Sequence, residues 1–101
     1  MIAWTFEAGR FPRPFAYEDV SVTNATATLT SADCGAARCV LIYFENGPVR
    51  VRLDGGTPVA GGSGILVQDG TNYMASRQEA QSLVAIRDGV TNGTLRVTYY
   101  G

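Results

Sequence analysis

The chain has no histidine, no lysine and only two cysteines, and 17% of its 101 residues are charged. Without histidine it lacks the commonest general base and metal ligand, and with them the Ser-His and Cys-His pairs that mark most nucleophilic enzymes. Without lysine, all eight basic residues are arginine, and nine acidic residues leave a formal net charge of −1. That balance gives no basic field to draw nucleic acid or an anionic membrane, so neither is expected as a partner. Cys34 and Cys39, in CGAARC, cannot complete a zinc site alone, and their spacing is not that of a thioredoxin-like pair. Reduced thiols are expected rather than a disulfide. No apolar run approaches the roughly 20 residues of a spanning helix. The opening MIAWTFEAGR lacks the charged-then-apolar layout of a signal peptide, so synthesis and folding in a cytoplasm are expected. Asp54, Asp69 and Asp88 each precede a glycine and read as turn residues rather than as an acid–base pair. Gly61-Gly-Ser-Gly64 lacks the Gly-Lys-Ser/Thr of a phosphate loop. Neither an enzyme nor a cofactor is expected.

Apolar residues make up 46% of the chain and glycine numbers 12, a composition that suits short strands joined by turns. The clearest stretch is CVLIYFENGPVRVRLDGG, Cys39 to Gly56, which reads as a β-hairpin. Its alternation sets Phe44 opposite Val49, Ile42 opposite Val51 and Val40 opposite Leu53 on one face, with Tyr43 against Arg50 and Leu41 against Arg52 on the other. Asn46-Gly47 supplies the turn, and Pro48, lacking an N–H, calls for a four-residue connection.

Before the hairpin, short strands are expected at Val20–Thr23 and Ala25–Thr30, then a turn at Ser31–Gly35. After it, Asp54–Pro58 breaks the chain and strands are expected at Ile65–Gln68, Thr71–Ser76, Leu83–Arg87 and Thr94–Tyr100. Arg77–Gln81 is long enough for a single helical turn. In the last strand Leu95, Val97 and Tyr99 alternate with Arg96, Thr98 and Tyr100, giving one buried and one amphipathic face. The expected fold is all-β: a small β-sandwich or jelly-roll-like barrel of about seven or eight antiparallel strands.

Residues 1–18 differ. They hold Trp4, Phe6, Phe11, Phe15 and Tyr17, half of the ten aromatic residues, broken by Gly9, Pro12 and Pro14 with Arg10 and Arg13 between. No period survives the prolines, so this part reads as an extended arm with at most a short strand at Ile2–Phe6, and 19–101 as the β-domain. Either the arm folds over an open end of its own domain, or it reaches a neighbouring subunit. Aromatic and arginine side chains favour the second. The expected assembly residues are Trp4, Phe6, Arg10, Phe11, Arg13, Phe15 and Tyr17.

Three elements, GPVRVRLDGGTP with the glycine stretch after it, LVAIRDG, and TLRVTYY, resemble in order and spacing a group of small tailed-bacteriophage virion proteins, over roughly residues 38–101. The matching positions are Arg52, Asp54, Pro58, Ala85, Ile86 and Arg87. The resemblance implies a β-sandwich in the virion, most like the capsid decoration or cement proteins that sit as homotrimers on the shell. The major capsid protein is then the partner; a neck, tail or fibre component is the alternative. The matching residues look like framework: Asp54 closing a turn, Ile86 in the core, Arg87 within reach of Asp54. A carbohydrate-binding module, with Tyr43, Tyr73 or Tyr100 stacking on sugar rings, is the reading from a different class.

Overall fold

The structure, a computed structural model, describes residues 12–101. Period-two alternation organises them into β1 (Pro14–Val22), α1 (Ser31–Ala36), β2 (Cys39–Asn46), β3 (Val49–Arg52), β4 (Ile65–Val67), β5 (Asn72–Ser76), α2 (Arg77–Ser82), β6 (Val84–Arg87) and β7 (Gly93–Tyr100). In β7 the side chains of Leu95, Val97 and Tyr99 are fully buried. A strand with one such face and two hydrogen-bonding edges sits best inside a sheet. It lies between β1 and β2, and β5 completes a four-stranded antiparallel sheet in the order β1-β7-β2-β5. A three-stranded antiparallel sheet, β4-β3-β6, forms the second layer.

The result is the expected all-β fold, a sandwich of seven strands among the described residues. Its core takes Val40, Ile42 and Phe44 from β2, Leu95, Val97 and Tyr99 from β7, Val49 and Val51 from β3, and Ala85 from β6. Each large apolar side chain removed from water contributes roughly 1.5–3 kcal/mol. Both cysteines are free thiols, and burial raises the pKa of each.

The expected hairpin is not one. β2 and β3 bury Val40, Ile42, Phe44, Val49 and Val51, while Leu53 lies past the end of β3 and is half-buried. The two strands belong to different sheets: Phe44 pairs with Leu95, and Val51 with Ile65 and Ala85. Tyr43 lies beside Arg96 and Asn72, and Arg50 beside Leu66 and Ile86. Alternation is the same whether two strands lie side by side or face each other across a core. The connection decides. Asn46 takes a left-handed φ of 75°, Pro48 can donate no ladder bond, and a Cβ on Gly47 would lie 2.5 Å from the Thr91 carbonyl oxygen. The chain therefore steps between layers.

Other differences follow from edges. β1 starts at Pro14, inside the expected arm, because a proline at the first position of an edge strand sacrifices no needed donor. The expected boundary at 18/19 thus falls within a strand, while the Ile2–Phe6 strand lies outside the described residues. Ser31–Ala36 is a short helix rather than a turn. Ala25–Thr30 makes only one bridge, Ala27 with Ala85. That bridge, with the Arg87 amide donating to the Thr23 carbonyl at 2.9 Å, ties the segment after β1 to β6 and closes one side of the sandwich. The side between β4 and β5 carries a cleft.

Candidate interaction surfaces

Of the expected assembly residues, Trp4, Phe6, Arg10 and Phe11 lie outside the described residues. Arg13 extends the β1–β7 ladder: its amide donates to the Gly101 carbonyl at 2.9 Å, and the Gly101 amide donates back at 2.8 Å. Phe15 sits where the register shifts between Pro14 and Ala16. It is half exposed, with its ring centroid 6.3 Å from that of Tyr99. Tyr17 is 60% exposed. Placed on a strand rather than a free arm, Phe15 and Tyr17 belong to the edge of the four-stranded sheet.

The outer face of that sheet has a defined centre. Register sets Asp19, Arg96, Tyr43 and Asn72 side by side across β1, β7, β2 and β5. Arg96 is held from both flanks: Nη1 lies 2.8 Å from Asp19 Oδ2 and Nε 3.1 Å from Glu45 Oε1. The hydrogen bond to Glu45, then that to Asp19, raises the Arg96 pKa. The Tyr17 hydroxyl donates to Asp19 Oδ1 at 2.6 Å, which raises the tyrosine pKa and lowers that of the acid. An arginine fixed between two carboxylates, with exposed Tyr17 and Tyr43 beside it, makes a flat amphipathic patch.

The cleft between β4 and β5 is apolar. It has a volume of about 310 Å³ and is lined chiefly by Phe44, Val51, Leu53, Ile65, Val67 and Leu83. The ring of Tyr73 also lines it, and its hydroxyl donates to Glu79 Oε2 at 2.6 Å. Glu79 belongs to a capping box at the start of α2, accepting from the Ser76 amide at 2.9 Å while its own amide donates to Ser76 Oγ at 3.1 Å.

The positions carried by the resemblance are mostly structural. Arg52 Nη2 meets Asp54 Oδ2 at 2.5 Å, and Asp54 closes its turn by accepting from the Gly56 amide at 3.0 Å. The Arg52 bond, then the Gly56 amide, depresses the Asp54 pKa to about 2. Pro58 and Ala85 are buried. Ile86 is not in the core: it lies half-buried on the outer face beside Arg50, since Ala85 takes the inward position. Nor does Arg87 pair with Asp54; its Nη1 donates to Asn92 Oδ1 at 2.8 Å.

Sequence reasoning missed Asp19, Glu45 and Arg96 as one cluster. Alternation put Arg96 on the amphipathic face, but strand order, which alternation does not encode, is what brings the three together. Among the described residues no group of three or more His, Cys, Asp or Glu is placed to hold a metal ion, and no helix is long and apolar enough to cross a membrane. No protein-family model, curated protein or solved structure matches the chain.

Proposed function

We propose that this chain is a structural component of a tailed-bacteriophage particle, a capsid decoration protein that lies on the major capsid protein and ties neighbouring capsomers together. The observation that carries the reading is the outer sheet face, where Arg96 is held by Asp19 and Glu45 beside exposed Tyr17 and Tyr43. Arginine and aromatic side chains dominate the centres of interfaces. Side chains already fixed on rigid strands lose little entropy on docking. The sequence resemblance supplies the class of partner, and a homotrimer is the assembly it implies. A neck, tail or fibre position is the alternative within the class.

The same tyrosines favour one other reading, a carbohydrate-binding module, in which a sugar stacks on Tyr43 or Tyr17 and its hydroxyls meet Asp19 and Glu45. Sedimentation with shells assembled from the major capsid protein of the same genome separates the two. Saturable co-sedimentation is expected, weakened about tenfold or more by Tyr43→Ala or by Arg96→Glu and unchanged by Val90→Glu, a substitution at a residue 92% exposed. No binding to shells at micromolar concentration overturns the proposal. Saturable glycan binding that is lost in Tyr43→Ala favours the second reading.

A further inference from the structure

Among the described residues β4 pairs only with β3, and β5 only with β2, so each leaves an edge that no described strand covers, on the same side of the sandwich. Such an edge accepts an added strand. Between the two edges lies the apolar cleft of about 310 Å³, with Phe44, Val51 and Leu83 among its lining residues. Ile65 is on the inward side of β4 by its register with Val51, yet it is 58% exposed. An inward-facing isoleucine left open to water marks an unfilled place in the apolar layer.

The chain carries one segment whose pattern fits that place. In residues 1–11, which lie outside the described part, Ile2, Trp4 and Phe6 alternate with Ala3 and Thr5, a stripe of three large apolar side chains at strand period. Where the tether joins the fold argues for the cleft of another copy. The Arg13–Gly101 hydrogen bonds continue β1 outward along its own axis, and the fixed φ of Pro12 and Pro14 stiffens that exit. β1 and β5 are opposite edges of the four-stranded sheet, three strand spacings or about 14 Å apart. Arg13 is level with Gly101, whereas Phe44 in the cleft is level with Leu95, about 20 Å further along the strands, so the chain leaves at the opposite edge and heads away from the level of its own cleft.

We infer that Ile2–Phe6 of one copy adds as a strand between β4 and β5 of a second copy, with Trp4 seated in the cleft. Arm and cleft are different surfaces, so the contact is heterologous and builds closed rings where the rotation closes. The inference concerns two copies of this chain and stands apart from what the outer sheet face binds.

Trp4 is the only tryptophan and reports its own burial. In the full chain, the blue shift of its fluorescence and the mass by light scattering are expected to rise together with concentration. Ile65→Glu, which places a charge at the lip of the cleft, and Trp4→Ala are each expected to give monomers, while Val90→Glu keeps the parent mass. Mixed together, the first two variants should form a dimer, because an intact arm then meets an intact cleft. That complementation also guards against misfolding, since an unfolded variant cannot restore its partner. A buried Trp4 in a monomer, an arm exposed to water at every concentration, or a mixture that stays monomeric would each overturn the inference.

Discussion

The hydroxyl of Tyr99, a side chain with no exposure, donates to Oε1 of Glu18 on the neighbouring strand. Glu18 points inward from β1 and also accepts from the Thr30 amide at 3.0 Å and the Thr30 hydroxyl at 2.8 Å. Burial alone would raise the Glu18 pKa; the three donors outweigh it and lower the pKa. The carboxylate thus ties the chain just before α1 to both edge and centre of the four-stranded sheet.

Removing either partner is therefore costly, but not equally. Tyr99→Phe takes away one charged hydrogen bond and leaves Glu18 with both donors from Thr30, so a loss of about 2 kcal/mol is expected. Glu18→Ala strands the buried Tyr99 phenol and also loses both bonds to Thr30, whose exposed donors turn to water, and is expected to cost more. Urea unfolding of the two variants and their double mutant measures the coupling; no loss in Tyr99→Phe would mean the bond contributes nothing to stability.

Acid should weaken the fold. Glu18, Glu79 and Asp88 all have lowered pKa values, Glu79 through the Tyr73 hydroxyl and the Ser76 amide, Asp88 through Arg50 and the Gly61 amide. A depressed folded-state pKa means the unfolded chain binds more protons as pH falls, so the stabilisation is complete above the unfolded carboxylate range and is lost below it. Melting temperature is expected to be level above about pH 5 and to fall as pH drops through about 4. The fall should be shallower in Glu18→Gln. A melting temperature that rose toward acid would contradict this account.

At the step between the two layers, the sequence Asn46-Gly47 makes opposite demands at adjacent positions. Asn46 holds a φ of 75°, and its amide donates to Asp69 Oδ1 at 2.9 Å. Glycine tolerates that conformation, so Asn46→Gly is expected to cost under about 1 kcal/mol. At Gly47 the constraint is space, because a new Cβ would meet the Thr91 carbonyl oxygen, a backbone atom. Gly47→Ala is expected to be the more damaging change, by about 2 kcal/mol or more. Paired thermal melts decide, and equal effects would remove the steric argument.

This turn also shows where the sequence is legible and where it is not. Val40, Ile42, Phe44, Val49 and Val51 are readable as inward-facing, and Leu95, Val97 and Tyr99 likewise, because burial leaves a period of two. Which strands become neighbours leaves no such mark. A hairpin and a step between sheets share one alternation, and only the space around Gly47 tells them apart. The Asp19–Arg96–Glu45 cluster was hidden for the same reason, its members being 77 and 51 residues apart in the chain. Glu18 was hidden differently: two nearby prolines suggested an arm, whereas an edge strand accepts a proline at its first residue.

The Arg50–Asp88 ion pair holds the start of the glycine stretch after β3. Arg50 Nε lies 3.1 Å from Asp88 Oδ1 and Nη2 3.2 Å from Oδ2; the Gly61 amide donates to the same Asp88 Oδ1 at 2.5 Å, and Arg50 Nη1 donates to the Gly64 carbonyl at 3.3 Å. The loop also has bonds of its own: the Val59 amide donates to the Ser63 carbonyl and the Gly62 amide to the Val59 carbonyl, both at 2.9 Å. Asp88→Ala removes the acceptor of the Gly61 amide and leaves the Arg50 bond to Gly64, the bond from Arg52 Nη1 to Ser63 Oγ at 3.4 Å and the internal ones. The Gly61 amide is therefore expected to exchange with solvent faster by a factor of ten or so, since its acceptor is gone, with a smaller change at Val59 and Gly62. Amides of β2 and β7 should keep their rates, because they open only with the whole domain. Hydrogen exchange followed by NMR makes the distinction. Uniform acceleration would mean that Asp88 holds the entire fold, and an unchanged Gly61 would mean that the carboxylate does not hold the loop.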